Sequence, residues 1–327
     1  MRLAAIGNAK KAETETQMRN SSFHDVEEAG GAGGKTMQIR SVRAVYFSPT
    51  GTTKRTVEMM ASAIAAALHV PWQGSSYTLP GERKENFHFG EDELLIWGTP
   101  VYAGRIPNKT LDFVKSAING TGTPAIAIVV YGNRNYDQAL FELTEIMQEK
   151  GFLPIGGVAV VARHTFSETL AAGRPDAADE DALLSFCSDV AEKIVSLPQN
   201  LQGISQVQIP GGDQPLVYYT PRKTDGTPAV FLKAKPKLHE EKCRGCGVCA
   251  EVCPMGCVSM EEAMPSAAET KDPVLRYPKF TGTCIKCQAC IRSCSRKALY
   301  FDDEAFLSHV QMLEEHMKTR REPEVFL

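Results

Sequence analysis

The sequence predicts an α/β fold, built on a doubly wound parallel sheet and followed by a smaller cysteine-rich domain. Three observations predict it: apolar strand patterns alternate with helix patterns up to about residue 197, prolines then interrupt them, and nine of the ten cysteines lie between Cys243 and Cys294. Strands that are apolar along their length and alternate with helices are typical of a parallel sheet covered on both faces. The 327 residues suffice for two or three domains with their own cores.

The chain divides into five segments by composition. We expect a disordered leader at 1–36, an α/β domain at 37–197, a proline-rich linker at 198–236, a cysteine domain at 237–302, and a C-terminal helix and tail at 303–327. The leader is polar and has no sustained periodicity, and the linker contains six prolines. The helix pattern at 303–318 carries an apolar stripe, which we expect to pack against the other domains rather than to form a partner surface.

Strand and helix patterns alternate within the α/β domain. Strand patterns occur at 42–48, 92–100, 124–132 and 156–164. Helix patterns occur at 56–70, 107–118, 136–151 and 178–197. Pro107 favours a helix start and Gly151 a helix end. Because the carboxyl ends of parallel strands share one edge of a sheet, we expect the loops that follow these strands to form the functional site.

Composition excludes several classes of protein. The net charge of −3 gives no overall attraction to nucleic acid or to a membrane surface, and no stretch approaches the roughly 18 apolar residues of a membrane span. Cysteines at short, repeated spacings indicate metal ligation in a reducing compartment rather than disulfides. We therefore expect a cytoplasmic protein that binds no nucleic acid and has no membrane span. The sequence gives no indication of the oligomeric state.

Two cysteine runs share the spacing C-x2-C-x2-C-x3-C, in "CRGCGVCAEVCP" and "CIKCQACIRSC". Three cysteines at successive two-residue gaps can reach three corners of a cuboidal iron–sulfur cluster, and in two-cluster proteins the fourth cysteine of each run crosses to the other cluster. The spacing therefore predicts two [4Fe-4S] clusters. The predicted ligands are Cys243, Cys246, Cys249 and Cys294 for one cluster, and Cys284, Cys287, Cys290 and Cys253 for the other.

Structural zinc is the alternative for these cysteines, but it prefers two pairs of ligands separated by a longer spacer. Ser295 follows the second run where Pro254 follows the first, which removes a turn constraint and no ligand. We expect Cys257 to be a small packed side chain rather than a substitute ligand. Cys187 lies on the apolar face of its predicted helix, so we expect it in the core.

The loop "FSPTGTTKR" (47–55) follows the first strand pattern and has the features of a phosphate site. It offers hydroxyls, a glycine at which the backbone can turn, and the unpaired N–H groups of a helix N-terminus. The predicted phosphate-binding residues are Ser48, Thr50, Gly51, Thr52 and Thr53. The alternative is that these hydroxyls only cap the helix.

A second glycine-rich stretch, "AGGAGGKT" (29–36), fits the relaxed form of a nucleotide phosphate loop. A working loop of that kind must follow a strand and open a helix, and this stretch has neither flank. We therefore expect no nucleotide there. We further hypothesise that translation naturally begins at Met37. N-terminal sequencing of the native protein tests this, and a peptide that covers residues 20–36 would contradict it.

The loop at 47–55 resembles the phosphate loop of flavodoxins, S/T-x-T-G-x-T, at Ser48, Thr50, Gly51 and Thr53. The loops "WGTPVYAGRIPN" (97–108) and "YGNRNYDQA" (131–139) resemble the ring-binding loops of short flavodoxin-like proteins. The resemblance implies a sheet of order 2-1-3-4-5 with FMN at its switch point. It implies ring contacts from Thr99, Pro100, Tyr102, Ala103 and Gly104 on one side, and from Gly132, Asn133, Arg134 and Tyr136 on the other. Tyr102 and Tyr136 are candidates for stacking on the ring. The alternative is that either is an ordinary surface tyrosine.

Residues 237–302 resemble a bacterial-type ferredoxin with two [4Fe-4S] clusters. The domain order, with "AAGRPD" (171–176) and "KAKP" (233–236), resembles a prokaryotic family of flavodoxin–ferredoxin fusion proteins. The resemblance implies electron transfer between FMN and the clusters, on behalf of an unidentified redox protein that donates or accepts electrons.

Two other functions stay open: an NAD(P)H-type flavin reductase with the clusters as a relay, and an iron–sulfur redox sensor. No separate active-site signature is present, so we predict no catalytic residue. We expect His164 to be a packed or solvated histidine rather than part of a flavin site.

Overall fold

The computed structural model describes residues 37–198, 205–262 and 276–327. The strands are β1 (Ser41–Tyr46), β2 (Trp72–Ser76), β3 (Phe87–Phe89), β4 (Glu93–Pro100), β5 (Ile118–Gly120), β6 (Thr123–Tyr131), β7 (Phe152–Val161), β8 (Lys237–Leu238), β9 (Val258–Glu262), β10 (Arg276–Phe280), β11 (Leu299–Tyr300) and β12 (Glu324–Phe326). The α-helices are α1 (Thr52–Leu68), α2 (Leu111–Ala117), α3 (Ala139–Glu149), α4 (Ala177–Ser196), α5 (Val248–Glu251), α6 (Ala289–Arg292) and α7 (Glu304–His316). The expected leader and the loop at 29–36 lie outside the described residues.

Six strands form one sheet in the order β12-β7-β6-β4-β1-β2. The five strands from β7 to β2 are parallel, and numbered among themselves along the chain they have the order 2-1-3-4-5. This is the flavodoxin-like, doubly wound sheet that the sequence predicted. β6 is buried along its whole length and β4 along nearly all of it, which explains their continuous apolar runs.

Helices cover both faces of the sheet. On one face α1 and α4 place Ile64 and Leu183 in a core with the strands, and Cys187 is buried there as predicted. On the other face α3 packs beside Trp97 and Phe152. Burial of these apolar stripes stabilises the domain by roughly 25 cal/mol for each Å² of apolar surface removed from water.

The element ends differ in detail from the sequence patterns. α1 begins at Thr52, four residues before the predicted 56, because Gly51 already turns the chain with a φ of 86°. The helix predicted at 107–118 becomes α-helical only at Leu111, after a 3-10 turn at Asn108–Thr110. Helix ends fray and are the least predictable part of such elements.

The tail after α7 contributes a strand that the sequence analysis did not predict. β12 pairs antiparallel with β7, with Val325 opposite Val158. A three-residue strand has no detectable periodicity, so its sequence gives no signal. α7 itself packs through Phe306 and Leu313, as expected from its apolar stripe.

The cysteine segment has internal two-fold character. β8, before the first run, pairs with β11, after the second; β10, before the second run, pairs with β9, after the first. Each run carries a one-turn helix, α5 or α6. The described part of 198–236 contains no α-helix and no named strand, in keeping with its prolines. Within the described ranges, no helix has the length and apolar composition of a membrane span.

Candidate functional site

The loop after β1 leads directly into the N-terminus of α1. Gly51 caps the helix in the left-handed conformation, and a Cβ there would meet no atom within 4 Å. Ser48 Oγ accepts the N–H of Lys54 at 2.9 Å, whereas the N–H groups of Thr52 and Thr53 have no hydrogen-bond partner among the described residues. The first turn carries no acidic side chain. The free donors and the positive end of the helix dipole suit a phosphate dianion.

The loops after β4 and β6, which the sequence predicted to flank a flavin ring, lie against each other. Gln138 N–H donates to Gly104 O at 3.1 Å. Gly104 has a φ of 80°, and a Cβ on it would lie 2.1 Å from Asp137 Oδ2, so only glycine permits this approach. Tyr102 and Arg105 close a tight turn through their backbones. The other predicted residues of the first loop end β4 or continue this turn: Thr99, Pro100 and Ala103.

The C-terminal segment covers the second loop. Asn133 Nδ2 donates to Met317 O at 2.6 Å and to Thr319 O at 2.9 Å. The Tyr136 hydroxyl donates to Glu324 at 2.6 Å. Asn133 Oδ1 is buried without a hydrogen-bond partner among the described residues. That unpaired acceptor leaves room for a ligand donor, whereas Tyr136 is already engaged by the tail.

The linker contacts both loops as well. Tyr219 N–H donates to Ala103 O at 2.8 Å. The Arg134 guanidinium lies 3.9 Å from the centroid of the Tyr219 ring and pairs with Asp137. Arg134 is therefore oriented by the linker and by its own loop.

His164 follows β7 and packs against Gly132. A Cβ added to Gly132 would lie only 2.4 Å from His164 Cδ2. Its Nδ1 accepts the N–H of Phe166 at 3.2 Å. Burial, with smaller contributions from His309 and Arg134, lowers the pKa of His164 to about 3. The imidazole is therefore neutral near pH 7, as expected for a packed histidine.

The two cysteine runs fold into nearly the same loop. The amide two residues after the first cysteine donates to that sulfur at 3.4 Å in both runs, from Gly245 to Cys243 and from Lys286 to Cys284. Positive φ angles recur at three equivalent pairs of positions: Gly245 and Lys286, Gly247 and Gln288, and Gly256 and Lys297. Such loops turn their amides toward the sulfurs, which suits thiolates that bind a cluster.

The four cysteines predicted to bind the second cluster line a single small pocket. They are Cys253, Cys284, Cys287 and Cys290. The fourth cysteine of the first run therefore lies beside the loop of the second run. Burial raises the pKa of Cys287 to about 12, so this thiol needs a metal or a strong donor to lose its proton near pH 7.

Cys257 lies next to this set. It is buried, and its Sγ lies 3.5 Å from Cys253 Sγ. A hydrogen bond from Cys257 lowers the pKa of Cys253 to about 6 and that of Cys284 to about 7, while it raises the pKa of Cys257 itself. Ala298 occupies the equivalent place after the second run and is also buried. Cys257 thus occupies a buried position equivalent to that of Ala298, and its thiol contacts two predicted ligands.

The first predicted set is nearer to solvent, and Cys246 is exposed. Burial, with smaller contributions from the nearby Cys243 and Cys246, raises the pKa of Cys249 to about 11. Cys294 Sγ accepts a backbone N–H at 3.3 Å. Within the described ranges, no three histidine, cysteine, aspartate or glutamate side chains converge as ligands of a single metal ion would. In a [4Fe-4S] cluster the cysteines bind different iron atoms, so they surround a volume instead.

The second cysteine loop lies on the carboxyl edge of the sheet, against the predicted flavin loops. Burial raises the pKa of Tyr102 well above its ordinary value, and the nearby Cys287 and Cys284 add to that effect. Thr165 Oγ1 donates to Cys287 O at 3.1 Å, and Arg292 Nη2 donates to Thr165 O at 2.8 Å. The sheet edge and the second cysteine loop therefore form one continuous site.

A polar cavity of about 380 Å³, open to solvent, lies beside the phosphate loop. Its lining consists of Thr50, Thr52, Arg55, Arg163, Thr165, Gly173, Arg174 and Arg292. These residues come from the phosphate loop and α1, from the loop after β7, and from α6 of the cysteine segment. Neither predicted ring loop lines this cavity. It joins the predicted phosphate site to side chains from both halves of the chain.

The sequence analysis missed several of these residues. Thr78 Oγ1 accepts the N–H of Ser48 at 2.8 Å and fixes the phosphate loop. Arg163, Thr165 and Arg292 reach the same cavity from segments far apart in sequence. No local pattern could have identified Arg292, because its role depends on how the cysteine segment packs on the sheet.

Comparison with known families supports the assignment of the cysteine segment. Residues 242–299 match the family described as 4Fe-4S dicluster domain, a range that includes all eight cysteines of the two runs. No curated protein matches the chain. The chain therefore joins a flavodoxin-like α/β domain to a 4Fe-4S dicluster domain.

Solved structures with partial likeness to the chain include three redox proteins. A flavodoxin from the domain Archaea shares 22% identity over 47% of this chain and 98% of its own, with a TM-score of 0.33. The Streptococcus pneumonia TIGR4 flavodoxin shares 18% identity over 47% of this chain and 99% of its own, with a TM-score of 0.33. The rubredoxin oxygen:oxidoreductase from the anaerobe Desulfovibrio gigas shares 14% identity over 49% of this chain and 37% of its own, with a TM-score of 0.32. The fold assignment rests on the sheet topology, a parallel sheet of order 2-1-3-4-5.

Proposed function

We propose that this protein transfers electrons between FMN and two [4Fe-4S] clusters on behalf of a separate redox protein. The observation that carries the proposal is the position of Tyr102. It belongs to a predicted flavin loop, and the second cysteine loop packs on the same edge of the sheet: Ile285 and Val101 pack against one core cluster, and Thr165 Oγ1 donates to Cys287 O at 3.1 Å. The charges of Cys284 and Cys287, two predicted ligands of the second cluster, raise the pKa of Tyr102. A flavin on that loop and a cluster in that cavity would be neighbours, which favours direct electron transfer between them.

The phosphate loop supports FMN as the flavin. Ser48, Gly51 and the free amides of Thr52 and Thr53 offer a helix N-terminus to a dianion, with no acidic side chain in the first turn. A phosphate monoester satisfies these donors, whereas riboflavin would leave them unpaired. The residues present therefore fit the phosphate of FMN. When bound, FMN supplies a centre that takes up two electrons and releases them one at a time.

For the ring we propose the edge formed by the loops at 99–104 and 132–136. The buried, unpaired Oδ1 of Asn133 is an acceptor that a ring N–H could satisfy. Tyr102 would border the ring on the side of the second cluster. The hydroxyl of Tyr136 is bonded to Glu324, so we propose that its ring contributes packing there rather than a polar contact.

The two cysteine sets support two clusters. Cys253, Cys284, Cys287 and Cys290 surround one cavity, and the first run presents a loop with the same backbone angles. Amides that point at Cys243 and Cys284 stabilise the thiolates that bind iron. The match to a dicluster family agrees with two clusters per chain.

Anaerobic reconstitution of the full chain tests the proposal. The protein is loaded with iron, sulfide and FMN, desalted, and analysed for each; we expect about eight irons and one flavin per chain. A redox titration then follows the flavin by absorbance and the reduced clusters by electron paramagnetic resonance. Reduction of the flavin should lead to reduced clusters within the same molecule, independently of protein concentration.

Two cysteine variants provide a matched pair. Cys284→Ser removes a predicted ligand, and we expect it to lose about half of the iron. Cys187→Ser changes a cysteine in the sheet core and should keep all of it. Full iron in Cys284→Ser would contradict the ligand assignment, and a chain with iron but no flavin would contradict the FMN proposal. Steady oxidation of NAD(P)H without a protein partner would indicate the reductase instead.

A further inference from the structure

The cavity beside the phosphate loop is lined by four arginines, and nearby carboxylates pair with only some of them. Arg174 is paired with the fully buried Asp179, and Arg163 pairs with the exposed Glu168 at 3.0 Å. Arg292, by contrast, has no carboxylate within ion-pair distance among the described residues. A low-dielectric wall with unpaired guanidinium groups attracts an anion.

Arg292 is held in place by one side of its guanidinium group. Its Nε donates to Thr165 O at 3.3 Å, and its Nη2 donates to carbonyl oxygens of His164, Thr165 and Ser167 at 2.8 to 3.3 Å. Its Nη1 has no hydrogen-bond partner within the described ranges, and the side chain lines the cavity that Thr50 and Thr52 also line. A fixed guanidinium with one free edge is suited to bind an anion.

The internal repeat shows that this arginine is not required by the cysteine loop. The equivalent position of the first run, at the same place in its one-turn helix, is Glu251, which is exposed. The loop folds with either residue. The positive charge therefore belongs to the second run alone, whose helix faces the sheet edge.

We propose that Arg292 binds the phosphate group of FMN, so that the flavin site is completed by a residue from the dicluster domain. This inference rests on the proposed function. The cavity lining contains only threonine, glycine and arginine side chains, which suits the phosphate and the sugar chain rather than the aromatic ring. Arg292 thereby binds the flavin that exchanges electrons with the cluster beside it.

Flavin affinity tests the proposal in cluster-loaded protein from which flavin has been removed. Equilibrium dialysis measures the Kd of FMN and of riboflavin for wild type, Arg292→Gln, Arg292→Lys and Arg296→Gln. Arg296 is an exposed arginine four residues away in the same segment, so its variant controls for the loss of one charge. The absorbance of the clusters confirms that the dicluster domain stays loaded in each variant.

We expect Arg292→Gln to weaken FMN binding about tenfold or more, because a charge-assisted hydrogen bond to the phosphate is lost, and to leave riboflavin binding nearly unchanged. Arg292→Lys should retain part of the FMN affinity, and Arg296→Gln should retain all of it. Equal weakening of FMN and riboflavin would overturn the inference, because it would indicate a role in domain packing or ring binding. An FMN affinity unchanged by Arg292→Gln would overturn it too. Wild type that binds no FMN would overturn the proposed function together with this inference.

Discussion

Glu142 fixes the loop that carries Tyr102 to helix α3, and its replacement by glutamine should loosen that loop. The Glu142 side chain is 3% exposed and its partner Arg105 is 14% exposed. Glu142 Oε2 accepts Arg105 Nε at 3.0 Å and the backbone N–H of Ile106 at 3.1 Å, and Oε1 accepts Arg105 Nη2. The pair is therefore bidentate and largely withdrawn from water.

The magnitude follows from this burial. Removing one member of a buried ion pair costs about 3–5 kcal/mol, because the remaining charge keeps its desolvation penalty. Glutamine can still accept the Ile106 N–H, and Arg105 retains a contact with the ring of Tyr218 at 4.6 Å. We therefore expect the lower end of the range, about 3 kcal/mol, which corresponds to a Tm decrease of roughly 6–12 °C for a domain of this size.

The assay is urea or thermal unfolding followed by tryptophan fluorescence. Trp97 is fully buried in the sheet, so its emission reports the α/β domain. Glu149→Gln is the matched control on the same helix. Its ion pair with Lys115 has an N···O distance of 3.6 Å and side chains more than half exposed, and surface pairs of this kind contribute less than about 1 kcal/mol.

A double-mutant cycle completes the test. In an Arg105→Met background the charge left by Glu142→Gln is absent, so the same substitution should cost at least about 1.5 kcal/mol less than in wild type. If Glu142→Gln costs no more than Glu149→Gln, or costs the same in both backgrounds, the buried pair does not hold the loop and the reasoning is refuted.

Three further outcomes follow from single residues. Cys257→Ala should keep about eight irons per chain, whereas Cys253→Ala should lose part of them; iron loss in Cys257→Ala would show that it is a ligand. Burial lowers the pKa of His164 from 6.5 to about 3. Below pH 6.5, His164 is therefore protonated in the unfolded chain but stays neutral in the folded chain. Stability should then fall by about 2 kcal/mol between pH 7 and pH 5, and His164→Gln should remove that loss in urea unfolding; an equal loss in the variant would contradict the burial argument. Gly104→Ala should destabilise the domain by more than about 1 kcal/mol in the same assay, because φ is positive and the new Cβ would strike Asp137; an unchanged midpoint would show that the turn adapts.

The central fold could be predicted because its causes are local. β6 and β4 are buried on both faces, which requires long apolar runs, and α4 begins with Asp176 accepting the N–H of Asp179. Periodicity and caps of this kind are readable in a single sequence. β12 could not be predicted, because its pairing partner lies more than 160 residues away and its three residues have no pattern of their own.

The site was predictable to the same extent. The spacing of eight cysteines identified two runs, and the structure brings Cys253 to the second run. The loop at 47–55 could be identified from its hydroxyl side chains and from Gly51 at the start of a helix. Thr165 and Arg292 were missed because each owes its position to packing between segments about 130 residues apart. Residues of this kind follow from how the two halves fit together.

Burial also orders the redox centres along the proposed path. The predicted ligands of the second cluster include the buried Cys253 and Cys287, whereas the first set includes the exposed Cys246. The second cluster would therefore lie nearer to Tyr102, and the first cluster nearer to solvent. The linker, α6 and the tail each contact the α/β domain, through Tyr219, Arg292 and β12. On the proposed path, an external redox protein would therefore reach the first cluster, beside the exposed Cys246, more readily than the second.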